Sequence, residues 1–213
     1  MHHQHADAPK TAGRVLRRAR WYDLFATVMT FGRDKAVRKK LIELAAPAPA
    51  EKVLDVGCGT GTLAIALKQR VGTGEVHGID ASPEMVQVAK EKADRDSSNV
   101  DFRAALIEAL PFPDASFDLV TSSLMLHHLP DDLKAKGFRE ILRVLKPGGR
   151  FVAMDLAAPG HSLPGHLISF FGHAHSESMA VKLVPMLKDA GFSDIRSIPT
   201  RHRNFTFISA KRD

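Results

Sequence analysis

The sequence predicts an α/β fold, a doubly wound and mostly parallel sheet with helices on both faces. Three observations predict it. Five short apolar runs alternate with helical patterns between residues 52 and 155, the first of them opens into a glycine-rich turn, and two further strand candidates close the chain. With 213 residues, 44% of them hydrophobic and 25% charged, the chain can bury a full core unaided. Its one cysteine, Cys58, excludes an internal disulfide and a Cys-rich zinc site.

The elements follow in order. Residues 14–30 repeat apolar groups at Val15, Ala19, Tyr22, Ala26 and Met29, a helical stripe, while Arg14, Arg17, Arg18 and Trp21 share another face. A second helix is predicted from Asp34 to Ala45, with Val37, Leu41 and Leu44 inward, and Pro47 and Pro49 end it. Strands are predicted at 52–56, 75–79, 100–104, 117–121 and 149–155, with helices at 61–70, 82–95 and 131–145 between them. Lys146-Pro147-Gly148-Gly149 reads as a helix stop. Beyond it, a helix over 178–190 and strands at 193–199 and 203–210 predict an antiparallel edge, the two strands pairing as a hairpin around Thr200.

Val53 to Gly61 is a buried strand running into Gly57-Cys58-Gly59-Thr60-Gly61 and then a helix. Glycines there permit positive φ and a close approach of backbone to ligand, and the helix that follows offers N–H groups to a negative group. Position 62 is Thr, which breaks the Gly-x-Gly-x-x-Gly spacing of dinucleotide-binding enzymes and disfavours NAD. The second strand ends at Ile79-Asp80. A carboxylate there can accept hydrogen bonds from both hydroxyls of a ribose, or it can serve as a cap. Ser82 with Pro83 next is a helix N-cap with proline in the first turn.

These segments, with Glu108–Asp118 and Leu145–Gly149, resemble the class I S-adenosylmethionine-dependent methyltransferases. The nearest branch (type 11 methyltransferase domains) holds the ubiquinone/menaquinone-biosynthesis and phospholipid N-methyltransferases. The resemblance implies a Rossmann-like sheet of seven strands with the last one antiparallel. It implies S-adenosyl-L-methionine as cofactor and S-adenosyl-L-homocysteine as product. It divides the chain into an N-terminal basic helical arm, 1–46, covering the cofactor site, and a methyltransferase domain, 47–213.

By the same resemblance Asp55 and Gly57 bracket the methionine part of the cofactor, Cys58, Gly59 and Thr60 form the turn beneath it, and Asp80 holds the ribose. Ala81 and Met85 pack on ribose and adenine, and Ser123 and Ile107 complete the contact set. Leu106 stands where similar sequences often carry an Asp for the adenine amino group, so one polar contact is lost. Tyr22 falls in the helix over the methionine end, where a phenol can hydrogen-bond the carboxylate or simply pack.

The acceptor side is the segment Ser122–Pro130, after the fourth strand, where ligands of open sheets bind. His127 and His128 are its titratable groups, with Tyr22 a third catalytic candidate; the alternative for the histidines is capping or packing before Pro130. His161, His166, His173 and His175 form a looser cluster expected to line the acceptor pocket, and no metal is expected. The segment lacks the Asn-Pro-Pro-Tyr signature of nucleic-acid amino methyltransferases and the thiolates of arsenic methyltransferases.

Charge sets the arm apart. Residues 10–40 hold ten basic groups against Asp23 and Asp34, whereas residues 41–213 hold 20 basic and 21 acidic groups. A lipid-like acceptor, a phospholipid amine or a quinol, accounts for such an arm through peripheral contact with an anionic membrane. A solvated helix face is the alternative, and nucleic acid is not expected. Met1–Lys10 lacks a signal peptide's apolar core, so a cytoplasmic protein is expected. Two other functions stay open: a soluble small-molecule N- or O-methyltransferase, and a non-catalytic cofactor-binding protein.

Overall fold

The computed structural model describes residues 34–156, 179–198 and 205–213. The elements are α1 (Asp34–Ala45), β1 (Val53–Val56), α2 (Thr62–Val71), β2 (Val76–Asp80), α3 (Pro83–Arg95), β3 (Asp101–Ala104), β4 (Phe117–Ser123), α4 (Asp131–Val144), β5 (Leu145–Leu156), α5 (Met179–Asp189), β6 (Ser193–Ile198) and β7 (Phe205–Lys211). The seven strands form one sheet in the order β3-β2-β1-β4-β5-β7-β6. Pairings from β3 across to β5 are parallel, and β7 runs antiparallel to both β5 and β6.

Strand alternation sorts the apolar side chains onto two faces. On one face Val53, Leu119, Val152 and Phe207 meet Leu41 of α1, Leu67 of α2 and Ala89 of α3. On the other, Leu54, Val120, Phe151 and Ile208 meet Phe138 and Ile141 of α4 and Leu183 and Leu187 of α5. Helix α1 therefore belongs to the same core as the sheet. Its end is fixed by Arg150, which donates to the Ala45 and Ala46 carbonyls at 2.7 and 2.9 Å while pairing with Glu51 at 2.8 Å.

Among the described residues the expected elements are present, with one difference at Lys146–Gly149; the helix predicted over residues 14–30 lies outside them. These residues do not separate helix from strand; α4 ends at Val144 and β5 starts at Leu145. Phe117 opposes Leu145 and Leu119 opposes Arg150, so two steps along β4 match five along β5, and the glycines take up the excess as a bulge. Gly148 has φ +77 there, and the bulge is held by Gly148 N–H donating to the Arg212 carbonyl at 2.8 Å and Arg212 N–H to Gly149 at 2.9 Å. The predicted turn at Thr200 lies outside the described residues, as do Trp21, Tyr22, the basic residues before Asp34 and all four histidines from His161 to His175.

Candidate active site at the carboxyl ends of the parallel strands

Strand β1 ends in the glycine turn because three consecutive odd positions take up conformations that L side chains avoid: φ is +72, +52 and +77 at Gly57, Gly59 and Gly61. Gly57 and Cys58 donate to the Ile79 carbonyl at 2.8 and 2.9 Å, and Gly61 donates to Cys58 at 2.9 Å. These bonds clamp the loop against the end of β2. Gly78 permits the approach, since a Cβ there would lie 2.6 Å from the Phe102 ring and 3.1 Å from Cys58 Sγ. The Cys58 thiol is buried and pushed well up by desolvation, with Asp80 and Asp55 adding to it, which leaves it inert as a nucleophile.

Asp80 performs the capping role read from its position and keeps room for the other. Its Oδ1 accepts from Ser82 N–H and its Oδ2 from Gly59 N–H, each at 2.9 Å. The first bond starts α3, where Ser82 Oγ in turn accepts from Met85 N–H at 3.3 Å. The second fixes the carboxylate against the glycine loop. A carboxylate oxygen accepts two bonds, so each Asp80 oxygen retains capacity for one ribose hydroxyl. Burial holds its pKa above the ordinary carboxylate value, against the lowering effect of those two N–H groups.

Asp55 is fully buried at the end of β1, and Thr121 Oγ1 on β4 donates to its Oδ1 at 2.9 Å. Desolvation pushes its pKa up to about 7; Asp80 adds to the rise, while the Thr121 bond and the positive charge of Arg38 on α1 oppose it. The crevice thus carries two carboxylates whose ionised forms are disfavoured in isolation, an arrangement suited to a ligand that brings positive charge. Thr60 is also buried. Lys92 of α3 donates to the hydroxyls of Thr60 and Thr62 at 3.1 and 2.8 Å, bracing the loop from behind.

The remaining cofactor candidates line the same side. Met85 is buried, Ala81 and Leu106 are half-buried, and Ser123 ends β4. Ile107 is buried against Gly137 of α4, where a Cβ would come within 2.6 Å of its side chain. Met125 reaches across from the acceptor segment and touches the cofactor loop: a Cβ on Gly57 would lie 2.3 Å from its Cγ.

On the acceptor side, a short 3₁₀ turn at Leu126–His128 follows β4. His127 Nδ1 lies 2.6 Å from Asp155 Oδ1, and His127 N–H donates to Asp155 Oδ2 at 3.0 Å. The His128 ring packs against that of His127, centroids 3.9 Å apart and planes inclined by 45°. Asp155 was not among the sequence candidates, nor were Thr121 and Lys92. Its position repeats that of Asp80, an acid at the carboxyl end of a parallel strand, and that analogy was the available signal.

A family model described as "Methyltransferase domain" matches residues 53–149, the span from β1 through the bulge of β5. The demethylmenaquinone methyltransferase of Listeria welshimeri is 33% identical over 204 residues, covering 83% of this chain and 85% of that protein. This chain belongs to that family of S-adenosylmethionine-dependent methyltransferases. The Thermus thermophilus demethylmenaquinone methyltransferase is 40% identical over 138 residues, which are 65% of this chain and 62% of the relative; over the matched region the chain thus spans about three fifths of that protein's length. A methyltransferase structure from Aquifex aeolicus superposes with a TM-score of 0.70 over 83% of this chain and 89% of its own, at 23% identity, and supports the fold. The glycine loop, its positive φ angles and the anchored Asp80 fit the cofactor of this family.

Proposed function

We propose that this protein transfers a methyl group from S-adenosylmethionine to a quinol-type lipid acceptor, a hydroxylated ring carrying a prenyl tail. The observation that carries the reading is the pairing of an intact cofactor loop with His127 at the mouth of the acceptor side, in a chain whose relatives bear the name demethylmenaquinone methyltransferase. When bound, the cofactor supplies an already activated methyl group. Asp80 orients the ribose, Asp55 favours the cationic methionine end, and half-buried Met125 places apolar surface beside the acceptor. His127 takes the proton from a ring hydroxyl, which raises electron density on the ring. An amine acceptor needs positioning more than a base, so the histidines favour the hydroxylated ring over a phospholipid amine.

In this reading the arm, residues 1–46, is anchored to the sheet core by α1, and the segment before α1 covers the cofactor crevice and meets an anionic bilayer through Arg14, Arg17, Arg18 and Trp21. The charge of Arg38 acting on Asp55 supports the cover. No helix among the described residues is long and apolar enough to cross a membrane, so the lipid acceptor is reached from the surface. The test is turnover of methyl-labelled S-adenosylmethionine with a short-chain 2-prenyl-1,4-naphthalenediol, with phosphatidylethanolamine vesicles in parallel. Label in the naphthalenediol alone supports the reading, and label in the lipid amine replaces it. Sedimentation with anionic and zwitterionic vesicles at low salt checks the arm: binding to the anionic ones alone is expected, lost when the three arginines are reversed in charge.

A further inference from the structure

We propose that Asp155 is a positioning residue that sets the tautomer of His127, turning it into a one-sided base whose Nε2 faces the acceptor, and that the two act as a unit. The inference rests on the reading of the acceptor as a hydroxylated ring. Asp155 sits at the end of β5 with its side chain 2% exposed, whereas that of His127 is 17% exposed, so one member is sealed and the other meets the crevice. Among the described residues every hydrogen bond of the carboxylate is to a nitrogen: His127 N–H on Oδ2 at 3.0 Å, and Leu156 N–H and His127 Nδ1 on Oδ1 at 2.7 and 2.6 Å. A carboxylate only accepts, so Nδ1 must carry the hydrogen. In the neutral ring the lone pair then lies on Nε2, on the opposite side of the imidazole and away from the buried carboxylate. Among the described residues no hydrogen bond is made by Nε2.

The arrangement has a chemical consequence. As the acceptor hydroxyl passes its proton to Nε2, the conjugated ring position bonds to the methyl carbon. The methyl–sulfur bond breaks with its electron pair going to sulfur, leaving S-adenosylhomocysteine. For a carbon acceptor the ring then loses the proton from the methylated carbon to solvent and regains its aromatic state, and His127 returns its proton to the ring oxygen, restoring the hydroxyl and the neutral base. The positive charge gained by His127 is met by Asp155 through the Nδ1 bond. The backbone bond from His127 N–H to the same carboxylate ties the 3₁₀ turn to β5, so the ring's position and its protonation pattern are set by one group.

The first experiment needs no acceptor. Two-bond ¹⁵N–¹H spectra of the full chain, with His127 assigned by loss of its signals in His127→Gln, should show the Nδ1–H tautomer. The Nε2–H tautomer in the wild type overturns the proposal. The second uses the short-chain naphthalenediol. Asp155→Asn should lower kcat about 100-fold with KM and cofactor affinity nearly unchanged, and Asp155→Glu should recover part of the loss. The double variant with His127→Gln should be no slower than His127→Gln alone, because the pair acts as a unit; multiplied losses overturn it. If the wild type shows the Nδ1–H form yet leaves the naphthalenediol unmethylated, the acceptor reading fails by itself and the tautomer result upholds the pair.

Discussion

The two halves of the crevice handle a carboxylate at a strand end in opposite ways. On the β1–β2 side, among the described residues, Asp80 is held by backbone N–H groups and keeps capacity for a ligand, while Asp55 is buried with a hydroxyl donor and titrates near neutrality. On the β4–β5 side, Asp155 is sealed in the interior, bonded to His127 and Leu156, and presents a histidine in its place. One half leaves acid facing the crevice, matched to a ligand with hydroxyls and positive charge. The other converts acid into an oriented base.

The largest expected effect breaks this contrast at Asp55. Burial raises its pKa from 3.8 to about 7 in the folded chain. Between those values the unfolded chain is ionised while the native one keeps its proton, so stability falls as pH rises through that window and levels off above it. A rise of that size corresponds to roughly 4 kcal/mol at pH 8. Asp55→Asn should therefore flatten the loss of stability in urea titrations between pH 4 and 7. The same variant should weaken cofactor binding, and remove a rise in wild-type cofactor affinity with pH across neutrality, measured by calorimetry, since a cationic ligand favours the ionised carboxylate.

Next in size, Asp80→Ala removes two charge-assisted ribose bonds and the clamp on Gly59. Cofactor affinity should fall by about 2–3 kcal/mol. Unchanged affinity by calorimetry refutes the ribose assignment. Gly57→Ala sharpens the comparison by striking the contact between the halves: the new Cβ meets Met125 at a φ of +72. A loss of about 2 kcal/mol in chemical denaturation is expected, since both steric overlap and a left-handed backbone oppose the side chain. The smallest effect belongs to Lys92→Met, which removes the brace behind Thr60 and Thr62 and should cost about 1 kcal/mol in cofactor affinity with little change in fold.

What the sequence alone determined was local. Gly57, Gly59 and Gly61 announce the turn because only glycine tolerates those φ values without strain. Ser82-Pro83 announces the start of α3, and the alternation of apolar runs announces the two-faced sheet. His127 was legible by type and place. Its partner was not: 28 residues separate it from Asp155, and only the parallel pairing of Ser123 with Met154 brings the ends of β4 and β5 together. Thr121 and Asp55, 66 residues apart, meet because they are direct partners in the β1–β4 register. The bulge at Lys146–Gly149 shows the same limit, since a helix stop and a strand bulge place the same glycines in the chain. Local conformational preference is written within a few neighbouring residues. Which nitrogen of His127 holds its hydrogen is decided by a carboxylate that only strand pairing delivers.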